Sequence, residues 1–288
     1  MTDLPRIAVT GSSGFIGRHV VRELIDRKKN VTITSRNISK LEEFYGRTKI
    51  VELDLENPDI KIFDQLNQPD ILFHLSWNGL PNYNSLHHFE KELPNQYNFL
   101  RLMVESGLKS LIVTGTCFEY GMQSGSISET IPSRPENPYG FAKDVLRQKL
   151  YYLKKVKPFC LTWARLFYMY GDGQDRNSLF SQLQSSIDSG ESQFNMSGGE
   201  QLRDYLPVTE VARVLVDLGL QKPDNGIINI CSGKPISVRR FVEEWLRKTN
   251  NQINLNLGYY PYPQYEPMAF WGDRSKLDAC MTLNISKI

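Results

Sequence analysis

Short apolar runs alternate with helical periodicity through the first half of the chain. Runs at 6–10, 30–34, 49–53, 71–75, 111–114 and 160–166 predict strands. Apolar positions at three- and four-residue spacing predict helices over 14–27, about 86–106 and about 139–154. A strand–helix–strand order of this kind predicts an α/β fold, a doubly wound parallel sheet covered by helices on both faces. The second half is less regular. Gly-, Ser-, Asn- and Pro-rich loops interrupt it at 171–178, 188–200, 221–226 and 258–267. Residues 1–168 are read as the sheet domain, with a helix at 209–220 and a strand at 227–230 rejoining it within 208–231. Residues 169–207 and 232–288 are read as a smaller mixed α/β lobe.

Composition adds exclusions. The 288 residues are 40% hydrophobic and 23% charged, with a formal net charge of +2, and no Lys/Arg block points to nucleic acid or an anionic membrane. Residues 1–6 lack an apolar signal core, and no apolar run approaches membrane-spanning length, so a cytoplasmic protein is expected. Cys117, Cys160, Cys231 and Cys280 form no CxxC pair and read as free thiols. The four histidines form no ligand cluster, so no metal is expected.

The first chemical signal is Thr10-Gly11-Ser12-Ser13-Gly14-Phe15-Ile16-Gly17, between the first strand and first helix. Gly11 permits a tight turn, Gly14 admits a pyrophosphate close to the backbone, and Gly17 lets helix and sheet approach. The free N–H groups of the helix start would hold the negative charge. Such a loop is the mark of a Rossmann-type dinucleotide site, although three glycines alone also describe a turn. The second strand ends in Ser35-Arg36-Asn37, without the carboxylate that grips the ribose hydroxyls of NAD. Arg36 suits a 2′-phosphate, so NADP (as NADPH) is expected over NAD; the other reading is a solvated arginine. Asp54 is placed to accept from an adenine amino group or to cap a turn.

The second signal is Pro138-Tyr139-Gly140-Phe141-Ala142-Lys143, which sets Tyr139 and Lys143 on one face of a helix start. A phenol of reference pKa about 10 exchanges protons poorly at neutral pH, and a neighbouring ammonium is expected to lower it. The strand at 111–114 aims Gly115-Thr116 at the sheet's carboxyl edge, where Thr116 is placed to bond a substrate oxygen. YxxxK by itself also describes a pair on a helix surface.

With these elements in order, the chain resembles the extended short-chain dehydrogenase/reductases, the NAD-dependent epimerase/dehydratase family. The matching residues are TGSSGFIG at 10–17, Asp54-Leu55, His74 in FHLSW, Asn95 and TGTCFEYG at 114–121. PYGFAK at 138–143, Arg165 with Tyr170-Gly171, RDYLPV at 203–208 and GDRSK at 272–276 continue the series. The resemblance implies Thr116, Tyr139 and Lys143 as the catalytic trio and a sugar nucleotide as substrate. It implies cofactor contacts from Gly11, Ser13, Gly14, Phe15, Ile16, Gly17, Ser35, Arg36, Asp54, Leu55, Leu75 and Asn95, with Tyr139 and Lys143. Arg203 would hold the substrate diphosphate, or form a buried ion pair with Asp204 or another acid. Family members commonly dimerise through two long helices, so a homodimer is expected through Phe89, Leu93, Phe99, Leu146, Leu150 and Tyr151, read as exposed.

Departures narrow the reaction. The Asp-Glu pair that follows the threonine in the family's dehydratases is Cys117-Phe118 here, which argues against a dehydratase. Glu119 falls at a hydrophobic or variable site of the family. Cys117 is either a proton donor or a small apolar filler. The asparagine of the family's R-x-x-N-x-Y-G is Tyr168, and no arginine precedes Pro267, where many members carry a second diphosphate ligand. Tyr259, Tyr260, Tyr262 and Tyr265 cluster there, to stack on a base or to pack on the core. Trp77 and Asn78, after the fourth strand, are placed to line the sugar pocket; Trp77 alternatively belongs to the core. The pattern looks like reductases of nucleotide-linked 4-keto-6-deoxy sugars, enzymes of deoxysugar and surface-polysaccharide synthesis. A 4-epimerase with tightly held NAD and a non-catalytic dinucleotide sensor remain the alternatives.

Overall fold

The computed structural model of the protein describes residues 4–221, 224–262, 264 and 266–282. Seven parallel strands form the central sheet: β1 (Ile7–Thr10), β2 (Val31–Ser35), β3 (Lys49–Glu52), β4 (Ile71–His74), β5 (Ser110–Thr116), β6 (Cys160–Leu166) and β7 (Gly226–Ile230). Their order is β7-β6-β5-β4-β1-β2-β3. Every residue of β1, β2, β4 and β5 is buried, as continuous apolar runs covered on both faces should be. Helices α1 (Phe15–Asp26) and α4 (Val208–Leu220) cover one face, α2 (Leu93–Glu105) and α3 (Pro138–Val156) the other. The chain leaves β1 toward β2 on one side and returns to β4 on the other. A crevice therefore opens at the carboxyl ends of β1 and β4.

Two local differences from the sequence reading matter. The helical pattern over 86–106 is broken: a π-type turn at His88–Glu92 precedes α2. Pro94, near the start of α2, has no N–H to donate, and the register shifts just ahead of it. The strand expected at 111–114 runs on to Thr116, pairing with β6 from Ser110↔Cys160 to Thr116↔Leu166.

The apolar surface expected for dimerisation is also corrected. Leu93, Phe99, Leu146 and Leu150 are buried inside the subunit, and Phe89 and Tyr151 are partly buried against the same cluster. The sheet face beneath α2 and α3 presents Leu111, Val113, Leu161 and Trp163, which absorb these side chains. Leu86, Phe141, Tyr152 and Val156 are the exposed apolar residues of this region.

Outside the large sheet, the remaining strands form short pairs. Tyr168–Tyr170 pairs with Tyr205–Pro207 and Leu202–Arg203 with Ile236–Ser237. Gln193–Asn195 pairs with Asn254–Asn256, and Gly125–Ile127 with Phe270–Gly272. Among the described residues, no helix is long and apolar enough to cross a membrane, and no metal-binding cluster is present.

Candidate active site

The glycine loop is shaped by contacts that no side chain would allow. Gly11 has φ +74, and a Cβ there would lie 2.7 Å from the Leu75 carbonyl carbon. A Cβ at Gly17 would fall 2.0 Å from the Gly11 oxygen. Gly14 is the N-cap of α1 and supplies no side-chain cap, so the first N–H groups of the helix stay available for an anion. These features fit a dinucleotide pyrophosphate.

A cleft of about 520 Å³ extends from this loop across the sheet edge. It brings together Gly11, Ser13, Gly14, Ser35, Arg36, Asp54, Leu55, Leu75, Trp77 and Asn95 from the expected set. Phe15, Ile16 and Gly17 do not line it. Phe15 meets His19 edge-on, Ile16 packs into the core, and Gly17 lies under the turn. Asp54 both lines the cleft and caps a turn, accepting from the Glu56 N–H at 3.1 Å. Arg36 spans the cleft mouth and donates to Asn78 Oδ1 at 2.7 Å.

Asn78, read with Trp77 as a pocket residue, lines the same wall, whereas the sequence reading missed Lys40, Glu92 and Gln96 there. Lys40 stands four residues after Arg36, a spacing that was visible. Glu92 was not visible as a site residue, because long-range contacts place it. Gln96 Nε2 donates to Glu92 Oε2 at 2.9 Å, and Gln96 Oε1 lies 2.6 Å from His74 Nε2. His74 Nδ1 in turn lies 2.8 Å from Thr10 Oγ1. Burial pushes His74 down to about 3, so the ring is neutral and its N–H donates to Gln96. Glu92 Oε2 also accepts from the Asn78 N–H at 3.0 Å, which anchors the loop after β4.

Thr116, Tyr139 and Lys143 do not line this cleft themselves; Tyr139 and Lys143 pack on Trp77, which does. Thr116 ends β5; Tyr139 and Lys143 lie one turn apart on α3. Asn137 caps that helix by accepting from the Gly140 N–H, with Pro138 in its first turn. Tyr139 is hydrogen-bonded to the Thr116 side chain. Its ring is enclosed by Trp77, Tyr83 and His88, at centroid separations of 6.0, 5.6 and 5.3 Å. Lys143 Nζ donates to the Thr114 carbonyl at 2.9 Å and lies 4.0 Å from the Trp77 ring centroid. Trp77 is therefore part of the cleft wall, and its indole N–H donates to His88 Nδ1 at 3.1 Å.

The expected lowering of the Tyr139 pKa is reversed. Burial pushes the phenol up, and only the Thr116 hydrogen bond pulls it back. Lys143 feels the same burial, opposed by Glu119 and Glu92, and its ammonium is pushed down to about 7. Tyr139 consequently keeps its proton at neutral pH, the form needed to donate one. Cys117 also stays protonated, because burial, reinforced by Glu266 and Glu119, raises its thiol. It packs with Tyr120, Phe167 and Cys231, as a small apolar filler does.

Glu119 is the residue the sequence reading most undervalued. It is fully buried and accepts from the Thr116 N–H at 2.8 Å, from Trp163 Nε1 at 3.0 Å and from Arg165 Nε at 2.7 Å. The Arg165 guanidinium lies 4.2 Å from the Tyr120 ring centroid. Glu119 thus locks the backbone that carries Thr116, and its lone pairs are engaged by fixed donors.

On the far side, Arg203 is buried in an ion pair, the second of its two sequence readings. The acid is Glu266, at 2.8 Å, and not Asp204, which accepts from the N–H groups of Ser232, Gly233 and Gly272. The Tyr168 ring lies 5.3 Å from the Arg203 guanidinium. Of the tyrosine cluster, Tyr259 and Tyr260 are exposed and meet edge-on at 4.8 Å. Tyr262 accepts from the Glu200 N–H, and Tyr265 lies outside the described residues.

The sequence profile of the NAD dependent epimerase/dehydratase family matches residues 7–231. The chain is 34% identical to dTDP-6-deoxy-L-talose 4-dehydrogenase (NAD(+)) of Aggregatibacter actinomycetemcomitans, over 92% of this chain and 98% of that protein. It is 27% identical to GDP-6-deoxy-D-talose 4-dehydrogenase of the same organism, over 94% and 90%. The structure of MoeE5 in complex with UDP-glucose and NAD superposes with a TM-score of 0.80 at 25% identity, covering 96% of this chain and 92% of that one. Sequence, parallel sheet and glycine-loop cleft agree, and the chain belongs to the NAD dependent epimerase/dehydratase family.

Proposed function

We propose that this protein reduces the 4-keto group of a nucleotide-linked 4-keto-6-deoxy sugar with NADPH, Thr116, Tyr139 and Lys143 forming the catalytic trio. The observation that carries this reading is a proton inventory. Tyr139 is a protonated, enclosed phenol held by Thr116, and among the described residues the carboxylate and the thiol that act on it are both occupied. Glu119 is engaged by Arg165 and Trp163, Cys117 holds its proton, and Phe118 has none to give. Elimination, or epimerisation of a neighbouring carbon through an enolate, needs a further proton-transfer group; carbonyl reduction needs one proton, and a 4-epimerase that oxidises and re-reduces the same carbon uses the same set. A bound reduced nicotinamide supplies the hydride to the carbonyl carbon. Tyr139 gives its proton to the oxygen, Thr116 orients both, and Lys143 holds the ribose. Two similar proteins are named as 4-dehydrogenases of 6-deoxy-talose nucleotides, a name that describes the same carbon–oxygen redox step in the oxidative direction. Residues 169–207 and 232–288 form the lobe that receives the sugar nucleotide in this reading. A panel of 4-keto-6-deoxy sugar nucleotides tests it: net NADPH consumption supports a reductase. Interconversion of 4-epimers without net consumption supports an epimerase, and no turnover supports a sensor.

NADPH is proposed because Arg36 and Lys40 flank the ribose end of the cleft and β2 ends without a carboxylate. Charge-assisted hydrogen bonds contribute about 1.5–3 kcal/mol. Arg36→Ala should therefore weaken NADPH roughly tenfold or more and leave NADH nearly unchanged in a fluorescence titration. The second reading is NAD. It is favoured by the Arg36–Asn78 hydrogen bond, which occupies the guanidinium, and by the cofactor in the similar talose enzyme's name. Equal loss for both cofactors, or a wild-type preference for NADH, decides for it.

The proposal includes a homodimer built on Phe141, Tyr152 and Val156 of α3 with Leu86, an exposed apolar set beside the cleft-bearing helices. Light scattering at micromolar concentration should give twice the chain mass, and Phe141→Glu/Tyr152→Glu should give one chain mass. A monomeric wild type refutes the dimer.

A further inference from the structure

Arg203 cannot receive a substrate anion as it stands. It is 1% exposed, and Nη1 donates to the Leu202 carbonyl at 2.9 Å and the Pro267 carbonyl at 2.8 Å. Nη2 donates to Glu266 Oε2 at 2.8 Å. A guanidinium taken out of water needs a counter-charge, and Glu266 supplies it.

We propose that Glu266 is an internal stand-in for the substrate's diphosphate: it occupies Arg203 in the free protein, and the sugar nucleotide binds by displacing it. The proposal rests on the sugar-nucleotide reading above and adds the residue that sets its affinity.

Three observations support exchange over a permanent structural pair. First, the segment that carries Glu266 is anchored without that carboxylate. Leu202 N–H donates to the Met268 carbonyl at 2.8 Å, the Pro267 carbonyl is held by Arg203, and Tyr259 N–H donates to the Met196 carbonyl at 3.0 Å. The carboxylate side chain can swing away while the backbone stays. Second, Glu266 retains 16% side-chain exposure where Arg203 has 2%, so the acid sits on the solvent side of the pair. Third, Gln201, two residues before Arg203, is buried, and its Nε2 has no hydrogen-bond partner among the described residues. A buried donor left open two residues from a buried guanidinium suits an anion with more oxygens than one carboxylate offers. A diphosphate arriving at Arg203 meets Glu266 as a like charge and cannot share the guanidinium with it.

The test is isothermal titration of dTDP, UDP, GDP and CDP into the full chain saturated with its dinucleotide. Glu266→Gln should bind its preferred nucleoside diphosphate about tenfold or more tightly than wild type, with dinucleotide affinity unchanged. Arg203→Gln/Glu266→Gln should lose that gain. Glu266→Asp, which keeps the charge but draws it back by one methylene, should fall between, and it serves if the neutral variant folds poorly. Equal or weaker binding by both Glu266 variants overturns the proposal, because Glu266 would then be holding Arg203 for the substrate or doing nothing to it. If no nucleoside diphosphate binds wild type or either variant while the dinucleotide still does, the sugar-nucleotide reading falls and takes this proposal with it.

Discussion

Tyr139→Phe is expected to lower turnover by at least about 10²-fold, the lower end of what a positioned general acid contributes. The substitution keeps the ring that packs on Trp77, Tyr83 and His88 and removes only the hydroxyl bonded to Thr116. Dinucleotide affinity and melting temperature should therefore stay near wild type. Single-turnover kinetics with a 4-keto-6-deoxy sugar nucleotide isolate the chemical step from product release. Lys143→Met should differ in kind, since it also removes a cation at 4.0 Å from the Trp77 ring centroid and the proposed ribose contact, so cofactor affinity should fall with turnover. Retention of a tenth of wild-type turnover by Tyr139→Phe would show that the proton comes from another group.

The largest stability effect is expected at Glu119. Removing one partner of a buried ion pair typically costs about 3–5 kcal/mol, because the remaining charge is left uncompensated. Glu119→Ala leaves Arg165 only its longer ion pair to Asp144, at 3.7 Å, and also leaves the Thr116 N–H and the Trp163 indole without their acceptor. A urea titration of the free protein should show a midpoint shift of that size. Glu119→Ala/Arg165→Met should recover a large part of it, since no charge is then buried alone. Activity of the single variant should fall even where it folds, because Glu119 fixes the backbone that carries Thr116. An unchanged urea midpoint for Glu119→Ala would mean that water reaches Arg165 and the pair contributes little.

The chain by itself determined the sheet, its helices and the dinucleotide cleft. These depend on short-range physics: fully buried parallel strands are continuous apolar runs, and helices repeat their apolar positions every three or four residues. Glycines are required wherever the turn leaves no room for Cβ. The Tyr139–Lys143 pair was visible for the same reason, since four residues are about one helical turn. Tertiary structure alone decided which charges are spent. Glu119 looks like a variable surface residue until β5 and β6 pair in the register Gly115↔Arg165, which brings Trp163 and Arg165 onto it from 44 and 46 residues away. For Arg203 the neighbouring Asp204 was the one acid that sequence could name; Glu266 reaches it from 63 residues along the chain. The direction of the Tyr139 pKa likewise follows from burial among the rings of Trp77, Tyr83 and His88, which outweighs the lysine one turn away. The apolar residues of α2 and α3 were misread because periodicity shows that a face is apolar, not what lies against it. Apolar patterning is encoded locally and survives reading in one dimension, whereas ion pairing and desolvation depend on distances that exist only once the strands are in register.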